Sequence, residues 1–263
     1  TVRDLIAPVA LCQPLTVDLN AAGSGSITAA QVNNGSSDAC GIATKTLNNS
    51  SFTCSNVGSN TVIMTVTDVN GNSSTCSANI TVRDLIVPVA VCQPLTVNLD
   101  AAGSGSITVA QVDNGSSDAC GIATSTINNS SFACVNVGSG NTVVLTVTDV
   151  NGNSTTCSST VTVEDNVAPV AICRDVTVQL DNTGNGSTTA STVNNGSSDA
   201  CGIASTVLSQ TAFVCSEVGA NSEVLTVTDV NGNSSTCSTT VTVEDNVAPV
   251  AVCQNVTVQL DNT

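Results

Sequence analysis

The sequence predicts an all-β chain of tandem antiparallel β-sandwich repeats stapled by disulfides, and three observations predict it. The first is repetition. Thr1-Val2-Arg3-Asp4 returns as Thr81-Val82-Arg83-Asp84, Thr162-Val163-Glu164-Asp165 and Thr242-Val243-Glu244-Asp245, at spacings of 80 (81 − 1), 81 (162 − 81) and 80 (242 − 162) residues. The second is a period-two run of Val and Thr that leads into Asn70-Gly71, Asn151-Gly152 and Asn231-Gly232, a strong short-range hairpin signal. The third is a recurring set of four cysteines: Cys12, Cys40, Cys54, Cys76; Cys92, Cys120, Cys134, Cys157; Cys173, Cys201, Cys215, Cys237; then Cys253 opens a further set. Repeats are expected at 1–82, 83–163 and 164–243, with 244–263 the first strand of another.

Each element follows from local chemistry. Asp4 to Pro8 reads as a linker. Val9 to Leu19 reads as a first strand, with Pro14 confining it to a sheet edge or a bulge. Gly23 and Gly25 turn the chain, Ile27 to Val32 is expected as a second strand, and Asn33 to Gly41 as a polar loop carrying Asp38 and Cys40. Ile42 to Leu47, a strand around Phe52 and Cys54, Thr61 to Asp68 and Cys76 to Val82 complete the repeat. The one extra residue of the second repeat falls near Gly138-Ser139-Gly140, where a turn absorbs it. Six or seven short alternating strands without helical periodicity give an immunoglobulin-like sandwich. In that topology the first and last strands begin at the end where the chain enters. Cys12 is therefore expected to pair with Cys76, Cys92 with Cys157, and Cys173 with Cys237. The remaining cysteines are assigned within repeats, Cys40 with Cys54, Cys120 with Cys134, and Cys201 with Cys215.

Composition bounds the function. The net charge is −16 with four basic residues, which excludes a phosphate-binding face and hence nucleic acid. There is no His, so neither a zinc knuckle nor a His-based catalytic group is available, and Tyr and Trp are also absent. No apolar run is long enough to span a membrane. Evenly repeated cysteines in small modules with few aromatics point to disulfides and an oxidising, extracellular compartment. The chain opens inside a repeat and stops in another, so a longer array is expected.

The same topology gathers acids. The linker aspartate, the loop aspartate before the second cysteine and the hairpin aspartate converge at the end where each repeat begins. They are Asp4, Asp38 and Asp68; Asp84, Asp118 and Asp149; and Asp165, Asp199 and Asp229, with Asp245 opening the next set. The hairpins add Asn70 and Asn72, Asn151 and Asn153, Asn231 and Asn233. Carboxylates gathered without basic partners repel one another unless a cation or water separates them. Hard oxygen donors suit calcium. The alternative is that Asp68 caps a turn, Asn70-Gly71 is the turn and Asp4 solvates a linker, with no metal.

Asp-x-x-x-Pro before a first Cys, a Val-Gly turn, and Thr-Val-Thr-Asp-x-x-Gly-Asn ahead of a final Cys and Thr-Val-x-Asp together resemble the hyalin repeat (HYR) module. The segment Asn-Gly-Ser-Ser-Asp-Ala-Cys-Gly-Ile is similar to a variant found in long arrays of bacterial surface and secreted proteins, notably of Bacteroidetes. Here Pro-Val stands at Pro8, Pro88, Pro169 and Pro249 where the family usually has Pro-Pro. The resemblance implies an immunoglobulin-like fold and a role in adhesion or extracellular fibres. The expected function is a structural stalk, fibre or filament at a microbial surface, stiffened by calcium at its junctions, with neighbouring repeats or identical chains as partners. The alternative is an adhesin array that binds surface glycans or a partner cell.

Overall fold

The computed structural model describes residues 3–260. The first repeat contains β1 (Leu15–Asp18), β2 (Ser24–Ser26), α1 (Ala29–Val32), β3 (Ile42–Leu47), β4 (Ser51–Thr53), β5 (Gly58–Asp68) and β6 (Ser73–Arg83). The second contains β7 (Leu95–Asn98), β8 (Ser104–Ser106), α2 (Val109–Val112), β9 (Ile122–Ile127), β10 (Ser131–Ala133), β11 (Gly138–Asp149) and β12 (Ser154–Glu164). The third contains β13 (Val176–Gln179), β14 (Asn185–Ser187), α3 (Ala190–Val193), β15 (Ile203–Leu208), β16 (Ala212–Val214), β17 (Gly219–Asp229) and β18 (Ser234–Glu244). Every repeat builds one four-stranded and one two-stranded sheet, in the orders β1-β6-β5-β3 and β2-β4 for the first. This is the tandem, all-β, disulfide-stapled sandwich architecture.

Two compact units emerge. One comprises Thr1–Thr96, Ser106–Ser130 and Ser139–Thr162; the other comprises Val97–Gly105, Ser131–Gly138 and Val163–Thr263. In the first unit, Val62, Met64 and Val66 alternate inward along β5 and meet Ala78, Ile80 and Val82 of β6, with Phe52 of the small sheet closing the core. In the second, Phe213 of β16 packs with Val178, Leu180, Val241 and Val243, while Val193, Leu208, Leu225 and Val227 form a neighbouring cluster. With three phenylalanines as the only aromatics, the inward residues are mostly small β-branched ones, which suit strands but make a thin core.

The structure corrects the sequence reading in four places. The first strand is shorter than Val9 to Leu19, because Pro14 has no N–H to donate: β1 pairs as an edge strand running parallel to β6, while Val9 and Cys12 make only isolated bridges to Ser37 and Asn33. Ile27 to Val32 is not a strand. Thr28 and Gln31 form a capping box around the single turn of α1, with the Thr28 N–H donating to Gln31 Oε1 at 2.8 Å. The hairpin between β5 and β6 has a four-residue connection in which only Gly71 has φ > 0, at 93°, so it is not a two-residue Asn-Gly turn. Finally, residues 245–260 form no strand, and Val250, Val252, Val256, Val258 and Leu260 are exposed. In the three preceding repeats the first strand pairs with the last strand of its own repeat. Residues 245–260 make no such pairing, and 261–263 of the expected strand lie outside the described residues.

Candidate functional site

The hairpin aspartates organise the turn. Asp68 is buried, and its Oδ1 accepts from the N–H groups of Asn70 (2.9 Å) and Asn72 (2.8 Å), while Oδ2 accepts from Asn72 Nδ2 (2.7 Å). Asp149 with Asn151 and Asn153, and Asp229 with Asn231 and Asn233, repeat this arrangement. Burial opposes ionisation of these carboxyls. The hydrogen bonds from the Asn side chain and the turn N–H groups outweigh it and hold all three below the ordinary aspartate value.

Hydrogen bonds stitch the hairpin to the two other loops. Asn72 Nδ2 also donates to the Asp4 carbonyl at 3.3 Å, as Asn153 does to Asp84 (3.2 Å) and Asn233 to Asp165 (2.9 Å). The Val69 N–H reaches the Gly41 carbonyl at 3.1 Å, tying in the loop that carries Asp38. The convergence of linker, loop and hairpin is thus physical in every repeat.

Within that convergence, a tighter set forms. Ligand atoms of Asp84, Asp118 and Cys120 lie within 4.8 Å of one another, as do those of Asp165, Asp199 and Cys201, and those of Asp4, Asp38 and Cys40. The linker aspartate spends one oxygen on an Asx turn: Oδ1 of Asp84 accepts from the Ile86 N–H, and that of Asp165 from the Val167 N–H. Its other oxygen is left over. Asp84 and Asp165 are each 7% exposed, and their Oδ2 atoms are buried without a hydrogen-bond partner, as is Oδ1 of Asn151. The loop aspartates turn an oxygen inward too, with Asp118 Oδ1 accepting from the Cys120 N–H at 2.7 Å. Asp245 is exposed, and its Oδ1 accepts from the Val247 N–H at 3.0 Å. Asp68, Asp149 and Asp229 stand outside the tight sets, and their oxygens are taken up by the hairpin N–H groups and Asn side chains.

The cysteines depart from expectation in part. Cys12–Cys76, Cys92–Cys157 and Cys173–Cys237 join the ends of each repeat. Cys54 instead bonds Cys120, and Cys134 bonds Cys201, each with Cα atoms 5.1 Å apart; Cys40 and Cys215 are free. The assigned pairs Cys40 with Cys54, Cys120 with Cys134, and Cys201 with Cys215 are therefore wrong. The register explains why. Ile42 pairs with Asp68 at one end of β5, whereas Cys54 leads into Gly58 at the other. Eleven strand residues span about 35 Å, far beyond disulfide reach. A Cys40–Cys54 pair would need the chain to return to the Cys40 end after β3; β4 has three residues and crosses to the second sheet instead.

Glycine makes room for the crosslink. Gly23 has φ 68°, and a Cβ there would lie 2.6 Å from Cys54 Sγ and 3.3 Å from Ala119 Cβ; at Gly103 the distances to Cys134 Sγ and Ala200 Cβ are 2.7 and 3.1 Å. Gly23, which the sequence reading treated as a turn former only, thus also leaves room for a bridging sulfur and for the Asp-Ala-Cys-Gly loop that faces it. Cys40, without a bonded partner, donates its thiol to the Asp4 carboxylate, and that negative charge pushes the thiol pKa up.

The sequence matches no protein-family model, and no curated protein matches it significantly. Among solved structures, the chain is similar to the Sidekick-1 immunoglobulin domains 1–5 (10% identity, TM-score 0.39, 92% of this chain and 60% of that one). It is also similar to a three-immunoglobulin structure of titin (10%, 0.34, 91% and 99%) and to the Protocadherin Gamma B7 extracellular cadherin domains 1–4 (13%, 0.32). The latter match covers 73% of this chain, which spans 59% of that structure's length.

Proposed function

We propose that the chain is a tension-bearing segment of an extracellular repeat array, a stalk, fibre or filament of the hyalin-repeat kind at a microbial surface, with modules at 1–82, 83–163, 164–243 and onward from 244. The observation that carries this reading is the interleaving of two disulfide sets. One runs through Cys12–Cys76, Cys92–Cys157 and Cys173–Cys237, and its successive bridges are 16 residues apart (92 − 76 and 173 − 157). The other runs through Cys54–Cys120 and Cys134–Cys201, 14 residues apart (134 − 120). Tension is thus carried along two short covalent tracks. A small binding domain needs one bridge to keep its fold; linking each module covalently to the next adds resistance to extension. Disulfides of this density belong to an oxidising compartment. The near-identical module is copied along the chain rather than varied to concentrate chemistry in one place, which suits a structural array rather than an enzyme.

Calcium is the finer part of the proposal. Asp84 and Asp165 bury an uncompensated oxygen beside Asp118 and Asp199, a costly arrangement that a hard cation offsets. The disulfide sulfurs of Cys120 and Cys201 are poor calcium ligands. We therefore assign the site to Asp84, Asp118 and Asn151, with water completing the shell, and to Asp165 and Asp199 in the next repeat. Binding there would fix the linker against loop and hairpin.

Single-molecule stretching tests the proposal. The oxidised chain is expected to extend to a limit of about 55 Å per module and the reduced chain to about 280 Å, from about 3.5 Å per residue. Serine substitution of either cysteine set alone should leave the short limit between modules in place. Equal extension with and without reductant rejects the reading.

A further inference from the structure

Two of the three acid sets contain a disulfide sulfur and the third contains a thiol, and the linker aspartate differs between them. The loop does not differ. The N–H groups of Cys40, Cys120 and Cys201 donate to Oδ1 of Asp38, Asp118 and Asp199, each at 2.7 Å. Nor does the linker turn, where Oδ1 of Asp4 and of Asp84 lies 3.0 Å from the N–H it accepts, that of Ile6 and of Ile86. What changes is the second oxygen of the linker carboxylate. At Cys40, a thiol, the S–H donates to the Asp4 carboxylate. At Cys120 and Cys201, both disulfide-bonded, no S–H remains, and Oδ2 of Asp84 and of Asp165 is buried without a partner.

The disulfide therefore decides what Asp84 has left to offer. Cys120 Sγ and the ligand oxygens of Asp84 and Asp118 lie within 4.8 Å of one another, so a thiol at Cys120 needs only a small rotation to make the hydrogen bond that Cys40 makes. A buried carboxylate oxygen that accepts an S–H is partly compensated, whereas one that accepts nothing favours a cation beside it. Asp84, Asp118, Cys54 and Cys120 all belong to the first compact unit, and Asp165, Asp199, Cys134 and Cys201 all belong to the second. Each acid set thus shares one body with the bond beside it.

We propose that closing Cys54–Cys120 frees the Asp84 oxygen for calcium, and that opening the bond closes the site, because the released Cys120 thiol donates to that same oxygen. Cys134–Cys201 governs the Asp165–Asp199 site in the same way. The inference rests on the calcium assignment above and gives it an order, crosslink first and cation second. Closing the bond needs an oxidant, for which a low-molecular-weight disulfide such as oxidised glutathione serves. One protein thiolate attacks it, forming a mixed disulfide and releasing one glutathione thiolate, and the second protein thiolate displaces the other glutathione. One S–S bond forms and one breaks, and two electrons and two protons end on two glutathione thiols. By reciprocity, calcium favours the closed bond by the factor with which the closed bond favours calcium.

The test is calorimetric titration of calcium into the 263-residue chain carrying Cys40→Ser, Cys215→Ser and Cys253→Ser, so that no other thiol can exchange. Both sites, at Asp84–Asp118 and at Asp165–Asp199, are expected to fill in that parent. Adding Cys54→Ser leaves Cys120 as a thiol and should weaken the first site about tenfold or more, the worth of one hydrogen bond to a charged group, with the second unchanged. Adding Cys120→Ala to Cys54→Ser removes the donor without restoring the bond, and should return the first site. Equal affinities with and without Cys54→Ser overturn the proposal. So does a first site that stays weak in the Cys54→Ser, Cys120→Ala variant, which would give the bond a merely positional role. A parent that binds no calcium overturns the calcium assignment and this inference with it, whereas a parent that fills both sites whatever the state of Cys120 overturns this inference alone.

Discussion

At Asp229, one buried carboxylate satisfies the N–H groups of Asn231 and Asn233 and the Asn233 side chain. Asp229→Ala leaves those donors unpaired and is expected to cost about 1–3 kcal/mol, measured by chemical denaturation. The pH dependence follows from the same bonds. The folded carboxyls of Asp68, Asp149 and Asp229 lie below the ordinary value near about 3.9. They therefore contribute stability that is fully present above about pH 4 and is lost as pH falls through the lowered folded values. A variant with Asn at all three positions should lose most of that slope; an unchanged acid profile would show that other carboxylates govern it. At Asp84 one carboxylate oxygen is buried without a hydrogen-bond partner, the position proposed for calcium. Calcium at one hundred times its dissociation constant should raise stability by about 2.7 kcal/mol. Asp84→Asn should remove the Asp84–Asp118–Asn151 share of that gain while leaving, or improving, stability without calcium. Calorimetric titration that detects no calcium binding removes the metal from the proposal.

Among the elements, the two-stranded sheets are the weak partners. β14 and β16 have three residues each, and Phe213 at 1% exposed is the large side chain that holds β16 to the core. Phe213→Ala is expected to cost about 3–5 kcal/mol, read as a shift in denaturation midpoint. β16 leads directly into the turn carrying Cys215, as β4 and β10 lead into Cys54 and Cys134. Losing the phenylalanine should therefore also loosen the crosslink seat. The seat has its own test. Gly103→Ala places a methyl 2.7 Å from Cys134 Sγ at a backbone with φ 71°, and should slow formation of the Cys134–Cys201 bond during oxidative refolding. By contrast, the Arg83–Asp18 ion pair between β1 and β6, at 2.8 Å, is half exposed on both sides and contributes little.

For the whole molecule, chain topology matters more than core size. Each disulfide closes 64 to 67 residues. By the loop-entropy estimate each bridge, taken alone, stabilises by about 4 kcal/mol. Bridges that close within a repeat preserve a fold, whereas bridges that leave it make the fate of one module depend on its neighbour. Reduction is therefore expected to lower stability and extension resistance together.

Period-two alternation, the Val-Thr strands and the first-to-last cysteine pairs were legible in the sequence, because they depend on local pattern and on where a sandwich begins and ends. The acids of linker, loop and hairpin could likewise be grouped from topology. The sequence did not distinguish Asp84, with a buried oxygen to spare, from Asp149, whose oxygens are taken; that depends on hydrogen bonds between loops distant in the chain. Nor did it separate Cys40 from Cys54. Both cysteines lie in one repeat and were assigned to each other, and only the tertiary structure, by sending β4 across to the second sheet, leaves them at opposite ends and turns an expected staple into a link between repeats.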